Sequence, residues 1–264
     1  VRDLLKAYSL GKRRLIAQDR PKCYYCESQG EEMAPLEVEH YRPKQAVSSR
    51  DLSPGEVHNG YYWLGNEWTN LLLSCRACNG ANAKGTRFPI SVPANRVAMG
   101  RPVTPPLNLN RRVCRLDLAP LLNEGPVILN PEIDTPEDHL TFNRVSGQII
   151  ERGGSARGME SIAILRLDRD SLLVKRSKIL KSYIKDMKIL IEGRRTGRCT
   201  SDANLMASFE PICRSILSRQ EISSPYTLWG RFINTEIENL IVLKLPAPYR
   251  QVFREAYRYS VQHP

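Results

Sequence analysis

The chain has 264 residues, 41% of them hydrophobic, which suffices for one large domain, or a domain with an appended module, around a sizeable core. Its net charge of +11, from 39 Lys and Arg against 28 Asp and Glu, favours a polyanionic partner, because displacing condensed counterions from a phosphate backbone drives association. No apolar run approaches the roughly 20 residues of a membrane span, and the opening text VRDLLKAYSLGKRR lacks the apolar stretch and cleavage site of a signal peptide. Membrane anchoring is therefore set aside and a cytoplasmic setting is expected.

In chain order, residues 1–22 read as a basic N-terminal segment, with an amphipathic helix over 2–18 carried by Leu4, Leu5, Tyr8, Leu15 and Ile16. Residues 23–90 are dense in Cys, His, Asn and aromatics. Residues 91–126 hold Pro93, Pro102, Pro105, Pro106, Pro120 and Pro126 without a sustained period, and read as an irregular connection packed on the surface. Residues 127–151 suggest a β-hairpin: Val127–Leu129 is a short β run, and Leu140/Phe142 and Ile149/Ile150 flank a turn signal at Ser146-Gly147. Residues 152–264 read as helical. The segment 168–193 repeats Leu172, Leu173, Ile179, Leu180, Tyr183, Ile184, Met187 and Ile191 at helical spacing, with Gly193 where a C-terminal cap belongs. Further helices are predicted over 203–218, bent near Pro211, after the N-cap pair Ser224-Pro225, and over 248–261 with Val252, Phe253, Ala256 and Tyr257 inward.

Of seven cysteines, four form two C-x-x-C pairs, Cys23/Cys26 and Cys75/Cys78. Each pair resembles a zinc knuckle, in which a tight turn points two thiolates at one ion, and two knuckles complete a closed tetrahedral site of the structural kind. Cys114, Cys199 and Cys213 read as small buried hydrophobes.

Between the pairs lie P-L-E-V-E-H-Y-R-P-K (35–44) and Y-Y-W-L-G-N-E-W-T-N-L-L-L (61–73). The first predicts a short strand ending in Glu39-His40. A histidine there can deprotonate water, since its ordinary pKa is close to working pH. The adjacent carboxylate can hold a hard cation such as Mg²⁺ or Mn²⁺ through oxygen. Asn70 can fix a loop by side-chain hydrogen bonds to backbone and so orient the histidine. Asn79 follows the last cysteine, where a helix is expected to begin, and reads either as a metal ligand opposite Glu39 or as that helix's N-cap. His58 and His263 read as structural, and His139 as more structural than catalytic. Tyr61, Tyr62, Trp63 and Trp68 read as core rather than a stacking platform.

C-x-x-C, then E-H, then N-L-x-x-x-C-x-x-C-N with a downstream Lys resembles the zinc-bearing form of the HNH nucleases. The fuller text resembles the PtuB-type HNH proteins of the Septu and retron-associated antiphage systems: C-Y-Y-C-E, V-E-H-Y-R-P-K, K-G-T-R-F-P, N-P-E-I-D-T-P-E-D-H-L-T-F (130–142) and L-R-L-D-R-D-S-L-L (165–173). The likeness runs from about residue 11 to 190. It implies an α+β chain: a zinc-stapled ββα-metal nuclease domain over 23–90, a hairpin extension and a C-terminal helical region. It also implies metal-dependent hydrolysis of nucleic-acid phosphodiesters, leaving 5′-phosphate and 3′-hydroxyl ends, in bacterial antiphage defence, with a PtuA-type partner ATPase gating the nuclease. By that resemblance His40 is the general base, Asn70 the central Asn, and Glu39 and Asn79 hold the catalytic cation, while Cys23, Cys26, Cys75 and Cys78 hold zinc. The family usually places its Lys three or four residues after this Asn, whereas Lys84 is five after Asn79, so Asn82 stands as a second candidate ligand.

Arg42, Lys44, Lys84 and Arg87 are candidate phosphate contacts. Lys178, Lys181, Lys185 and Lys188 fall on one stripe of the 168–193 helix, away from its apolar face, and suit a nucleic-acid backbone, a solvated face being the alternative. DNA is the preferred substrate, with RNA, including tRNA, left open. The alternative from another class is an inactive zinc module that binds nucleic acid or scaffolds a complex, and the intact Glu39-His40, Asn70 and Asn79 argue against it.

Overall fold

The structure, a computed structural model, describes residues 22–29, 35–98 and 114–263. The helix expected over 2–18 lies outside the described residues. Strand β1, Glu37–His40, pairs antiparallel with β2, Leu71–Ser74, with Glu37 opposite Ser74 and His40 opposite Leu71. All of β2 is buried, as its unbroken Leu71-Leu72-Leu73 run requires. A one-turn helix α1, Arg76–Asn79, follows directly. Asn79 is its last residue, so the expected helix start at Asn79 and its N-cap role are corrected. The reason is local: the Cys75 carbonyl already takes the N–H of Cys78 and of Asn79 (3.0 Å each), so the helical turn closes within the second knuckle itself.

The proline-rich stretch is irregular where described, with short 3-10 turns at Pro93–Asn95 and Leu122–Glu124. It is more than a surface connection, because Cys114, Leu116, Leu121 and Glu124 are buried. Val127–Leu129 forms no strand, a second correction. An isolated bridge joins Ile90 to Pro126, the Val127 N–H goes to Pro89 O (3.1 Å), and the Leu129 N–H goes to Ser161 Oγ (2.9 Å). The hairpin itself is β3, Leu140–Phe142, and β4, Ile149–Glu151. Its turn is tied by Asn143 Oδ1, which accepts from Val145 N (2.8 Å) and Ser146 N (2.9 Å), and Gly147 takes φ +73°. Helix α2, Ala156–Leu165, starts on Ser155, whose hydroxyl accepts from Gly158 N (3.1 Å).

The chain divides into two compact units, Val1–Leu140 with Ile150–Leu167, and Thr141–Ile149 with Asp168–Pro264. Segment 23–90 therefore shares its core with 114–140 and 150–167, and the hairpin is split between the units rather than forming an extension of its own. The first unit centres on Tyr41, Tyr61 and Phe88, with Phe88 edge-on to both tyrosines at 5.4 and 5.5 Å.

The second unit is helical: α3, Asp170–Arg195; α4, Asp202–Ser218; α5, Thr227–Thr235; α6, Ile237–Leu240; and α7, Arg250–Gln262. Helix α3 buries Leu172, Tyr183, Met187 and Ile191, together with Arg176, whose guanidinium lies 5.2 Å from the Phe142 ring. It runs through Gly193 rather than ending there. The N–H and hydroxyl of Thr196 both close on Glu192 O (2.9 Å each), and the left-handed glycine is Gly197 (φ +81°). Pro211 lies inside α4, which packs on α7 through Phe209 and Phe253 (5.7 Å). Helix α5 starts at Thr227, not at Pro225: Tyr226 sits left-handed just before it, and Thr227 Oγ1 donates to Ser224 O (2.8 Å). Trp229 fills the centre of this unit, stacked on Phe232 at 5.6 Å, its Nε1–H donating to Arg176 O (3.1 Å). Among the described residues no helix is long and apolar enough to cross a membrane.

Candidate metal centre and active site

The first knuckle is a turn closed by Cys23 N–H to Ser28 O (3.0 Å) and Glu27 N–H to Cys23 O (2.8 Å), with Glu27 left-handed at φ 57°. The Tyr24 N–H donates to Leu73 O (2.9 Å), which sets this turn beside β2, the strand that leads into the second knuckle. Sulfurs of Cys23, Cys26, Cys75 and Cys78 lie within 4.8 Å of one another, and all four residues are buried. A tetrahedral ion with Zn–S bonds of ~2.3 Å spaces its thiolates by about 3.8 Å, and Cys26 Sγ to Cys75 Sγ measures 3.8 Å. The four thiols fit a structural zinc by number, chemistry and spacing.

His40 ends β1, half-buried, and its Nε2 lies 3.0 Å from Gly65 O. A carbonyl only accepts, so Nε2 carries the proton and the lone pair is left on Nδ1. Burial, and then the positive charge of Lys44, depress the imidazole pKa to about 4, so it is neutral at neutral pH. Glu39, the preceding residue, is buried, and burial raises its carboxyl above the usual range against the opposing pull of Lys84. The Lys84 ammonium contacts Glu39 Oε1 and donates to His40 O (3.0 Å), and its side chain is wholly buried. Beyond that ion contact Glu39 Oε1 has no hydrogen-bond partner, and neither has the buried hydroxyl of Tyr25, whose pKa burial and then Glu39 push upward. A buried carboxylate is a hard oxygen donor of the kind a small hard cation takes, and in this structure the Lys84 ammonium holds that position on Glu39. Asn79 is half-buried and Asn82 exposed.

Asn70 is fully buried: its Oδ1 accepts from Arg42 N (2.7 Å), and its Nδ2 donates to Arg42 O (3.1 Å) and Leu64 O (3.2 Å). The chain after His40 is thereby clamped. Gly60 (φ +76°) reinforces it, because an added Cβ would lie 2.6 Å from the Lys44 and Gln45 backbone.

Two of the four phosphate contacts expected near the strand are corrected. Arg42 is 0% exposed and donates through Nε to Glu124 Oε2 (2.9 Å) and through Nη2 to Leu121 O (2.6 Å). Lys84 is committed to Glu39 and His40. Arg87 donates through Nε to Asp51 (2.8 Å), which also accepts from Phe88 N (2.7 Å), but its side chain stays partly exposed and it is not overturned. Cations neutralised inside the fold, as Arg42 and Lys84 are, have little to offer a phosphate. Lys44 is half-buried beside His40, and Lys178, Lys181, Lys185 and Lys188 are exposed along α3. His58 is buried between Gly60 N (3.1 Å) and Val97 O (3.1 Å), His139 bonds Ser155 Oγ (2.8 Å) at the start of α2, and His263 stacks on Tyr259. Tyr61 and Trp63 are core, while Tyr62 and Trp68 are half-buried; Cys114 and Cys213 are buried and Cys199 is half-buried.

Sequence reasoning did not single out Glu124, Asp51, Tyr25 or the Gly65 carbonyl. Glu124 also accepts from Tyr61 OH (2.8 Å) and Val97 N (2.8 Å), from within a stretch whose only local signal is proline.

No family model matches the chain, and no solved structure does. Among curated proteins it is 32% identical over 212 residues to Septu protein PtuB of Bacillus mycoides strain KBAB4, covering 78% of this chain and 64% of that protein. It is 28% identical over 184 residues to Septu protein PtuB of Bacillus thuringiensis, covering 69% of this chain and 50% of that one. A Septu protein PtuA of the same B. mycoides strain matches over 163 residues at 28% identity, 61% of this chain but 20% of that protein. The chain thus spans between half and just under two thirds of the PtuB relatives it matches, and over most of its own length it is similar to Septu PtuB proteins.

Proposed function

We propose that this chain is a metal-dependent nuclease of the HNH type, acting in antiphage defence in the manner its likeness to Septu proteins suggests, with a PtuA-type ATPase as partner. The observation that carries the reading is His40: a neutral imidazole at a strand end, with Nε2–H anchored on Gly65 O and the Nδ1 lone pair left for a proton. In this reading Nδ1 takes the proton of a water as that water attacks phosphorus, and the Gly65 carbonyl stabilises the imidazolium formed. Asn70 keeps the following chain in place, and Lys44 beside His40 meets the phosphate.

Successive strand residues face opposite sides, so Glu39 and His40 flank the end of β1 with a carboxylate on one side and a base on the other. Glu39, with Asn79 and less directly Asn82, would hold the divalent cation. When bound, Mg²⁺ or Mn²⁺ there supplies Lewis-acid stabilisation of the developing phosphate charge and of the leaving oxygen. The exposed lysines of α3 supply sequence-independent attraction to the backbone. DNA remains the preferred substrate and RNA, including tRNA, the alternative.

The test is nicking of supercoiled plasmid and cleavage of tRNA by the zinc-loaded chain with Mg²⁺ or Mn²⁺. His40→Ala is expected to lower cleavage by about 10²–10⁴-fold, the usual worth of a general base, with zinc content and fold intact. Cleavage by His40→Ala at the unmodified rate overturns the assignment of the base. A second reading, a zinc module without nuclease activity, is favoured by the internal neutralisation of Arg42 and Lys84. Binding of both substrates without cleavage of either would select it.

A further inference from the structure

Lys84 stands where a cation beside Glu39 is wanted. Its ammonium reaches Glu39 Oε1 and His40 O, its side chain is wholly buried, and its backbone N–H donates to Cys78 O (3.1 Å), immediately after the second knuckle. The carboxylate it touches is otherwise without a hydrogen bond at Oε1, and Tyr25 OH is buried without a partner. A lysine ammonium is a compact point charge on a flexible stem, able to leave one acceptor without rearranging the backbone. A buried charge that loses its partner is costly to keep unless another charge or a proton replaces it. A divalent ion arriving at Glu39 is such a replacement, and the two cations compete for one oxygen.

We propose that Lys84 is an internal counter-ion, occupying the cation position on Glu39 in the metal-free protein and displaced from it when a divalent cation binds. This rests on the reading of Glu39 as a cation ligand. Lys84 then sets the apparent metal affinity, which is the intrinsic affinity reduced by the fraction of molecules whose Glu39 is unoccupied.

The experiment is Mn²⁺ binding to the zinc-loaded full chain, read from loss of the free-ion EPR signal, with zinc content and thermal unfolding as fold controls. Lys84→Met is expected to tighten the apparent Kd by at least about tenfold, and Lys84→Arg, which keeps the charge, is expected not to tighten it. Unchanged or weaker binding by a folded, zinc-loaded Lys84→Met overturns the proposal. Glu39→Gln separates the two levels of the argument. If it leaves Mn²⁺ affinity unchanged, Glu39 is no ligand and both readings fall; if it weakens binding while Lys84→Met fails to tighten it, displacement alone falls. Should Lys84→Met not retain zinc, acetylation of Lys84 in the unmodified protein decides, read by mass spectrometry. Shielding without metal and reaction at saturating Mg²⁺ is the expected result, and equal shielding in both states overturns it.

Discussion

The interior of the first unit buries Arg42, Glu124, Glu39, Lys84 and Asn70 beside four cysteines, whereas the interior of the second is Leu205, Phe209, Ile216, Trp229, Ile233 and Phe253, with Arg176 its buried charge among the described residues. Apolar packing gains stability roughly with area removed from water and tolerates modest rearrangement. Buried charges and amides gain little net stability, but each punishes the loss of its partner heavily. The first unit thus exchanges stability for fixed geometry, and a metal clamp is the natural supplement for a core of that kind. The second has no comparable need.

That contrast can be broken most forcefully at the zinc site. Cys75→Ser is expected to cost on the order of 10 kcal/mol of metal-linked folding energy, melting the first unit while the helices of the second persist. Metal analysis should find about one zinc per unmodified chain, and helical circular dichroism together with zinc content reads the variant. Loss of all helix, or a folded zinc-free protein in strong chelator, would end the distinction between the units.

Arg42→Met comes next. It leaves Glu124 buried without its guanidinium, and a destabilisation of about 3–5 kcal/mol is expected, as a drop in thermal stability accompanied by looser zinc retention. An Arg42 that served phosphate instead would change nucleic-acid binding and leave stability alone.

In the second unit Phe253→Ala, which removes the ring facing Phe209, is expected to cost about 3–5 kcal/mol through cavity formation, with zinc content unchanged. The smallest effect belongs to the exposed stripe. Replacing Lys178, Lys181, Lys185 and Lys188 by Gln should leave stability within about 0.5 kcal/mol and lower the slope of log K against log salt by about one unit for each phosphate no longer neutralised. An unchanged slope would assign the stripe to solvent or to a protein partner.

What was legible in the sequence follows the range of each interaction. The two C-x-x-C pairs, the Glu39-His40 strand end, the turn at Ser146-Gly147 and the inward face of α7 are set by neighbours a few residues apart, and the structure brings each together. Arg42 looked like a phosphate ligand because its partner Glu124 is 82 residues away in an irregular stretch. Lys84 looked free because nothing in the letters N-A-K-G says that its stem is enclosed beneath β1. Gly193 looked like a stop because glycine usually is one, yet Thr196 carries α3 past it.

The Asn70 side chain carries a consequence beyond the loop it clamps. Its amide exchanges a donor and an acceptor with the backbone of Arg42, while the Asn70 backbone carbonyl accepts from Tyr41 N (2.9 Å). That is what a facing residue of an antiparallel ladder does, so a side chain here impersonates a peptide unit and adds a rung where the strand has already ended. Few residues qualify for the impersonation. Aspartate has the shape but would set a carboxylate against the Arg42 and Leu64 carbonyls, and glutamine has the chemistry but one methylene too many. The asparagine letter of this motif is therefore a piece of backbone spelled in a side chain, and main-chain geometry alone suffices to dictate its identity.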